Sequence, residues 1–261
     1  MKQTKIVATI GPSSSAPQII EQLISAGVNV FRLNFSHGSQ ETHAANVQNI
    51  RKIAHKLACP VAIMGDLQGP KIRVSKFSQN QVELNNGDHI ILDPQFKELG
   101  NAQIVGVDYA SLADDLLAGD VLLLDDGKIS FKVSKVVGTQ ITCIVTQGGI
   151  LKNNKGINKF GGGLTAPALT AKDLDDIKFI ATQGLDYVAI SFPKDAQDMQ
   201  FARQKLTEAG SKAQIIAKME RTEAVFHNLD SIIKASDGIM VARGDLAVEV
   251  GEALVPGLQK N

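Results

Sequence analysis

Residues 237–246 read DGIMVARGDL. The apolar run Gly238-Ile239-Met240-Val241-Ala242 stops abruptly at Arg243-Gly244-Asp245. A buried strand that delivers a cation, a bare glycine and a carboxylate at its C-terminal tip is how α/β barrels build active sites. Upstream, QIIAKME (214–220) repeats the pattern, with Ile215-Ile216-Ala217 followed by Lys218 and Glu220. Lys218 and Glu220 have strand spacing, so their side chains share a face. Two consecutive strand tips thus offer a lysine and two carboxylates, a set suited to a hard divalent cation holding a phosphate.

The same alternation runs through the first third of the chain. KIVATI (5–10) reads as a strand, followed by the Gly11-Pro12 break and Ser13 to Ser15 as helix-cap candidates. Ile19, Ile20, Leu23 and Ile24 form a helical stripe that stops at Gly27. VNVFRLNFS (28–36) and VAIMGDL (61–67) are strands, separated by a helix through Val47, Ile50, Ile53, Ala54 and Leu57. After Gly69-Pro70 the texture becomes short β-rich runs split by turns. Asn86-Gly87 and Asp126-Gly127 between such runs favour tight hairpins. This texture ends near Gly161-Gly162-Gly163 and Pro167. Then βα alternation resumes: a helix over 170–184 capped by Thr170 and stopped by Gly184, a strand over 186–193 and a helix over 194–209. QIIAKME, a helix through Val225, Leu229, Ile232 and Ile233, and DGIMVARGDL complete the set. The expected fold class is α/β: a (β/α)8-type TIM barrel, incomplete at about six strands and interrupted by an inserted all-β barrel domain. The expected segments are 1–69 (strands one to three), 70–167 (the β-barrel lid) and 168–261 (strands four to six). Gln259-Lys260-Asn261 falls inside what reads as a further helix, so truncation is expected.

Lys+Arg and Asp+Glu both number 27, which argues against a sequence-independent grip on nucleic acid or an anionic membrane. Cys59 and Cys143 lack metal-ligand spacing and read as reduced thiols. The early apolar run at 6–10 is too short for a signal-peptide core, and no segment is long enough to span a bilayer. A soluble, cytoplasmic protein is the expectation.

Five strand ends carry polar groups: Arg32 to His37, Asp66, Ser191, Lys218 with Glu220, and Arg243 to Asp245. Each has a plainer reading. Asp245 or Glu220 alone could cap the following helix. Arg32 could be a surface ion-pair partner, and Lys71 a solvated lysine. His37 reads as a loop hydrogen-bonding group without chemistry. Asp125-Asp126-Gly127 has the look of metal ligands but reads as a hairpin turn. Gly161 to Gly163 is not a phosphate loop, because no strand directly precedes it and no Gly-Lys-Ser/Thr follows.

Taken together, TKIVATIGPSS, FRLNFSHG, GDLQGPKIR, LLLDDGKI, KGIN, DYVAISF, IIAKMER and SDGIMVARGDLAVEV resemble pyruvate kinase from Thr4 to Lys260. The resemblance implies phosphoryl transfer from phosphoenolpyruvate to ADP, giving pyruvate and ATP in glycolysis. By matched motif position it implies that Arg32 holds the phosphoryl group and Lys218 stabilises the transition state. Glu220 and Asp245 would ligate the divalent ion, and the backbone N–H groups of Gly244 and Asp245 would grip the substrate carboxylate. Arg73 and Lys155 would reach the nucleotide phosphates, Lys155 from the lid. Asn34, Ser36, Asp66 and the Leu67 carbonyl match the family's potassium ligands. Lys71 in GPKIR stands where many members have Glu, and resembles a subclass in which an ammonium replaces potassium, so K⁺ would not be required. Arg221 in KMERTEA resembles the same subclass, and Lys159-Phe160-Gly161 stands where Leu-Pro-Gly is common. Full-length members form homotetramers. Against this stand two rivals: a non-catalytic truncated fragment, and a Mg²⁺-dependent barrel lyase or aldolase acting on phosphoenolpyruvate or pyruvate. The inserted β domain with Lys155 argues against the lyase.

Overall fold

The computed structural model describes residues 3–260; Met1 and Asn261, the outer bounds of the expected segments, lie outside the described residues. In chain order the strands are β1 (Val7–Ile10), β2 (Val30–Asn34), β3 (Ala62–Asp66), β4 (Gln81–Leu84), β5 (His89–Asp93), β6 (Ile104–Gly106) and β7 (Val121–Leu124). They continue as β8 (Ile129–Val137), β9 (Gln140–Gln147), β10 (Gly149–Lys152), β11 (Ile157–Lys159), β12 (Tyr187–Ile190), β13 (Gln214–Met219) and β14 (Gly238–Val241). The chain divides into two compact units. One is Met1–Gly69 with Ala168–Met219 and Asn228–Met240; the other is Pro70–Pro167 with Glu220–His227 and Val241–Asn261.

The first unit is built on a six-stranded sheet in the order β1-β2-β3-β12-β13-β14, interspersed with helices along the chain. The pairings from β1 to β13 are parallel, as βα connections require. This is the strand order of a (β/α)8-type barrel seen over six of its strands. Apolar stripes seat the helices: Ile20 and Ile24 of Pro17–Ser25, Val47, Ile50 and Ile53 of Gln40–Lys56, and Met199 and Leu206 of Ala196–Glu208 are buried. Burying each such side chain stabilises the fold by roughly 1.5–3 kcal/mol before entropy is charged against it. The helix Ala171–Gln183 has the expected ends. Thr170 and Asp173 form a reciprocal capping box, and Gly184 closes the helix at φ 58°.

Three local expectations are corrected. Ser13 to Ser15 do not cap the first helix; its N-cap is Ala16, and Pro17 at the first turn supplies the preset φ instead. The stripe through Val225 to Ile233 is two helices, Thr222–Phe226 and Leu229–Ala235. Asn228, at the break, donates through Nδ2 to the Lys194 carbonyl at 3.0 Å, a tertiary contact that the helical period does not encode. Asn86-Gly87 makes a turn but no hairpin, because β4 pairs with β10 and β5 with β9. The Asn86 Oδ1 accepts the Gly148 N–H at 2.7 Å, drawing the later strand alongside instead.

In the second unit, β11-β7-β8-β9-β5-β6 form one sheet and β10-β4 another. Asp126-Gly127 does join the antiparallel pair β7 and β8. Residues 73–77 tie the two edges of the larger sheet together. Val74 bridges Val107 just beyond β6, and Arg73 bridges Gly156 just before β11. The edges are thereby closed, as a barrel requires. Ile90, Leu92, Leu122, Phe131, Ile141 and Cys143 are completely buried inside.

The capping box gives a direct stability expectation. Thr170→Ala should lower the unfolding free energy by about 1 kcal/mol, and Thr170→Ser by much less. Urea melts of the three proteins check this; equal midpoints would show the cap to be idle.

Candidate functional site

Asp66 ends β3, between β2 and β12. Register sets Asn34 of β2 opposite Asp66, and Ala189 of β12 opposite it on the other side. Arg32, two residues back along β2, therefore lies on the same face. Its Nε donates to Asp66 Oδ2 at 2.6 Å, and its Nη2 pairs with the same oxygen. Nη1 donates to Thr9 Oγ1 of β1 at 3.0 Å. Three of the five guanidinium N–H groups are thereby used. From the other side, Lys218 of β13 places Nζ 3.3 Å from Asp66 Oδ1 and donates to Ser191 Oγ at 2.8 Å. Ser191 donates in turn to the Leu67 carbonyl at 2.7 Å. Asp66 is only 1% exposed, so the carboxylate is desolvated and held by two cations. The local sum is one net positive charge, a preformed seat for an anion.

Gly69 sharpens the packing here. It sits at φ 65°, and a Cβ on it would lie 2.7 Å from that of Ser191, the anchor of Lys218. Asn34 Oδ1 accepts the Ser36 N–H at 3.1 Å. The Phe35 N–H donates to the Asp66 carbonyl at 2.9 Å, so the four residues matched to a monovalent site stand together at the tip of β3. His37 contributes its carbonyl, 3.0 Å from His43 Nε2.

The second unit holds the other residues singled out by sequence. Lys71, Gly244 and Asp245 line one open cleft of ≈ 1190 Å³, together with Arg243 and Lys260. Lys71 Nζ donates to Asp245 Oδ1 at 3.1 Å. Asp245 is not a cap: the helix is Arg243–Val250, and its N-cap is Ala242, with no side-chain hydrogen bond. The first helical bond runs from Leu246 N–H to Ala242 O at 3.0 Å. The N–H groups of Arg243, Gly244 and Asp245 consequently have no acceptor within the helix. Nor does Glu220 cap its helix, since the N-cap of Thr222–Phe226 is Arg221. Glu220 is completely buried. Arg73 Nη1 donates to the Lys71 carbonyl at 3.0 Å, while its N–H donates to Asp108, whose carboxyl burial pushes upward. Lys155 Nζ pairs with Asp125 at 2.6 Å. That contact holds the Asp125 carboxyl below its ordinary range and Lys155 above its own.

Two partners of the candidate residues escaped the sequence reading. Thr9, inside a strand, gave no signal as a partner of Arg32. Asp125 was read as a turn residue, although a second aspartate before Gly127 exceeds what the turn requires. Glu220 and Asp245 are hard oxygen donors of the kind Mg²⁺ takes, and that ion ordinarily completes its shell with water and phosphate oxygens. Among the described residues no group of three or more His, Cys, Asp or Glu is placed to hold a metal ion.

Glu249 was not foreseen at all. It is buried in the helix that begins at Arg243, and its Oε2 accepts from Thr222 N–H at 2.9 Å and Thr222 Oγ1 at 3.3 Å. Burial raises its pKa from 4.5 to about 7.

A family model described as "Pyruvate kinase, barrel domain" matches residues 1–261. The chain is 52% identical over 263 residues to a pyruvate kinase of Buchnera aphidicola subsp. Schizaphis graminum (strain Sg), covering 100% of this chain and 55% of that protein. It is 51% identical over 263 residues to pyruvate kinase II of Salmonella typhimurium, again 100% of this chain and 55% of the relative. To a pyruvate kinase of Geobacillus stearothermophilus it is 43% identical over 262 residues, 99% of this chain and 44% of the relative. The chain spans about half the length of the curated relatives it matches.

The Glu249 carboxyl binds its proton more tightly folded than unfolded. Its contribution to stability is complete below pH 4.5 and is lost as pH rises through about 7. Glu249→Gln removes that loss. Between pH 5 and 8 the mutant should gain on the wild type, by on the order of a few kcal/mol in total. Urea melts across that range check it; a difference independent of pH would contradict the raised pKa.

Proposed function

The chain belongs to the pyruvate kinase family, and on that premise we propose that it carries the phosphoryl-transfer residues of an enzyme converting phosphoenolpyruvate and ADP to pyruvate and ATP. The observation that carries the proposal is the Arg32–Asp66–Lys218 network, a net-positive seat fixed by a buried carboxylate. Catalysis of this kind is mostly positioning and charge neutralisation, with little covalent work for the protein. Arg32 keeps two N–H groups beyond those used by Asp66 and Thr9, and these hold the phosphoryl oxygens as a fork. Lys218, kept in place by Ser191 and Asp66, sets its positive charge where negative charge develops on the transferred group. The N–H groups of Gly244 and Asp245, at the start of an uncapped helix, hold the substrate carboxylate. Glu220 and Asp245 would hold Mg²⁺ or Mn²⁺, which would supply positive charge against the phosphate and the developing negative charge. Arg73 and Lys155 take the nucleotide phosphates, Lys155 leaving Asp125 to do so, and the inserted segment 70–167 acts as the lid.

Lys71 is proposed to do the work of a monovalent cation. An ammonium fixed 3.1 Å from Asp245 supplies one positive charge to the cleft at no cost in ion binding. A cytoplasmic location also belongs to the proposal; among the described residues no helix is long and apolar enough to cross a membrane. The lyase or aldolase reading has no support among these relatives, which are named as pyruvate kinases.

Pyruvate release from phosphoenolpyruvate, ADP and Mg²⁺ by the full-length protein tests the activity. Lys218→Met should lower kcat by about 10²–10³ while changing KM little, the pattern of a group acting in the transition state. An unchanged kcat would remove Lys218 from the mechanism. Omitting K⁺ should leave the rate of the unmodified enzyme nearly unchanged, whereas Lys71→Glu should create a K⁺ requirement. Strong activation of the unmodified enzyme by K⁺ would refute the role given to Lys71.

A further inference from the structure

The three glycines at 161–163 have no part in the reaction described above, yet they are built with care. The chain leaves β11 through Phe160 and passes Gly161, Gly162 and Gly163 at φ 80°, 81° and 94°. A Cβ on Gly162 would lie 2.7 Å from Glu223 Oε1, so a side chain there would displace that carboxylate. The exit is stitched down at three successive points. Gly161 N–H donates to the Glu249 carbonyl at 3.1 Å. Gly163 N–H donates to Glu223 Oε1, and Arg221 Nη2 donates to the Leu164 carbonyl. Arg221 Nε reaches Glu223 Oε2 at 3.4 Å, joining the two clamps. Beyond them Thr165 donates to both oxygens of Asp115, through N–H and Oγ1, at 2.8 Å each.

Arg221 is only 3% exposed. Desolvating a guanidinium is costly unless its partners are well placed, and here those partners are one carbonyl of the exit and the carboxylate that grips the next amide. Arg221 and Glu223 also flank the start of Thr222–Phe226, directly after Glu220. Thr222 is itself tied through Glu249 to the helix that opens with Arg243-Gly244-Asp245. The exit of the β domain is therefore fastened to the backbone that carries Glu220.

We propose that Arg221 and Glu223 are positioning residues that latch the β-domain exit at Gly163-Leu164 to the segment bearing Glu220, so that seating of the nucleotide-binding domain and placement of Glu220 are one event. What is coupled, nucleotide on one side and the metal-binding carboxylate on the other, rests on the kinase reading; the latch itself rests on the contacts above. Ordering of the β domain by ADP then reaches residues 220–226 although the nucleotide does not touch them. Such coupling is reciprocal and typically amounts to about tenfold.

Amide hydrogen exchange in the full-length enzyme, with and without ADP, tests this. In the wild type ADP should slow exchange at 71–77 and, through the latch, about tenfold at 220–226. Arg221→Ala and Glu223→Ala should abolish the second protection and keep the first, while Arg221→Lys, which can still donate to the Leu164 carbonyl, should restore part of it. KM for ADP should rise in the two alanine variants. Undiminished ADP protection of 220–226 in the alanine variants would overturn the latch. Should ADP protect nothing in the wild type, the nucleotide reading falls and the ADP-free data decide. There Glu223→Ala must speed exchange at 160–164 and 220–226 together, and acceleration at 160–164 alone overturns the proposal. Glu223 is a quarter exposed, so its alanine variant keeps the test open if Arg221→Ala does not fold.

Discussion

A carboxylate buried to 1% exposure at the end of a central strand has to be compensated, and much of the first unit follows from how Asp66 is compensated. Leaving one charge of a buried pair uncompensated typically costs about 3–5 kcal/mol. Asp66 is met by Arg32 from β2 and Lys218 from β13, reached across β12 with the help of Ser191. The arrangement works only if β2, β3, β12 and β13 keep their register, because a slip of one residue would turn each of these side chains to the opposite face. Gly69 is needed to let the loop after β3 approach Ser191. Fold and chemistry are thus fixed by the same contacts: the cations that satisfy Asp66 are those proposed to meet the substrate phosphate.

The second unit handles buried charge differently. Its β domain has an apolar interior of Val, Ile, Leu and Phe, with Cys143 inert inside it, its thiol pushed up to about 12 by burial. The charged groups gather where the chain leaves that domain and where the helices after β13 and β14 begin. Arg221, Glu223 and Glu249 are joined there to backbone amides and carbonyls. Such a network is destabilised by loss of any one member, which makes it a poor way to gain stability and a good way to specify one geometry.

How much of this was legible in the sequence depended on the range of the interaction. Strands with short apolar runs and the Thr170 cap are governed by neighbours in sequence, and they were readable. So was the placement of Arg32, Asp66 and Lys218 at the ends of parallel strands, because parallel βα connectivity sends like ends of the strands the same way. The partners were not readable. Nothing in GPKIR says that Lys71 meets Asp245, and nothing in DDGK says that Asp125 meets Lys155. The interrupted helix at Asn228 and the absent hairpin at Asn86-Gly87 fail for the same reason, since each is decided by a residue remote in sequence. Glu249 carried no signal in the sequence; only the packed structure puts Thr222 against it.

The role proposed for Asp66 is to order Arg32 and Lys218, with no direct contact to substrate. A double-mutant cycle on kcat/KM for phosphoenolpyruvate, using Asp66→Asn and Lys218→Met in the full-length enzyme, tests it most directly. If Asp66 works through Lys218, the double mutant should be little worse than the poorer single mutant, a coupling above about 1 kcal/mol. Losses that add to within about 0.5 kcal/mol would mean that the two residues act independently, and would contradict the account.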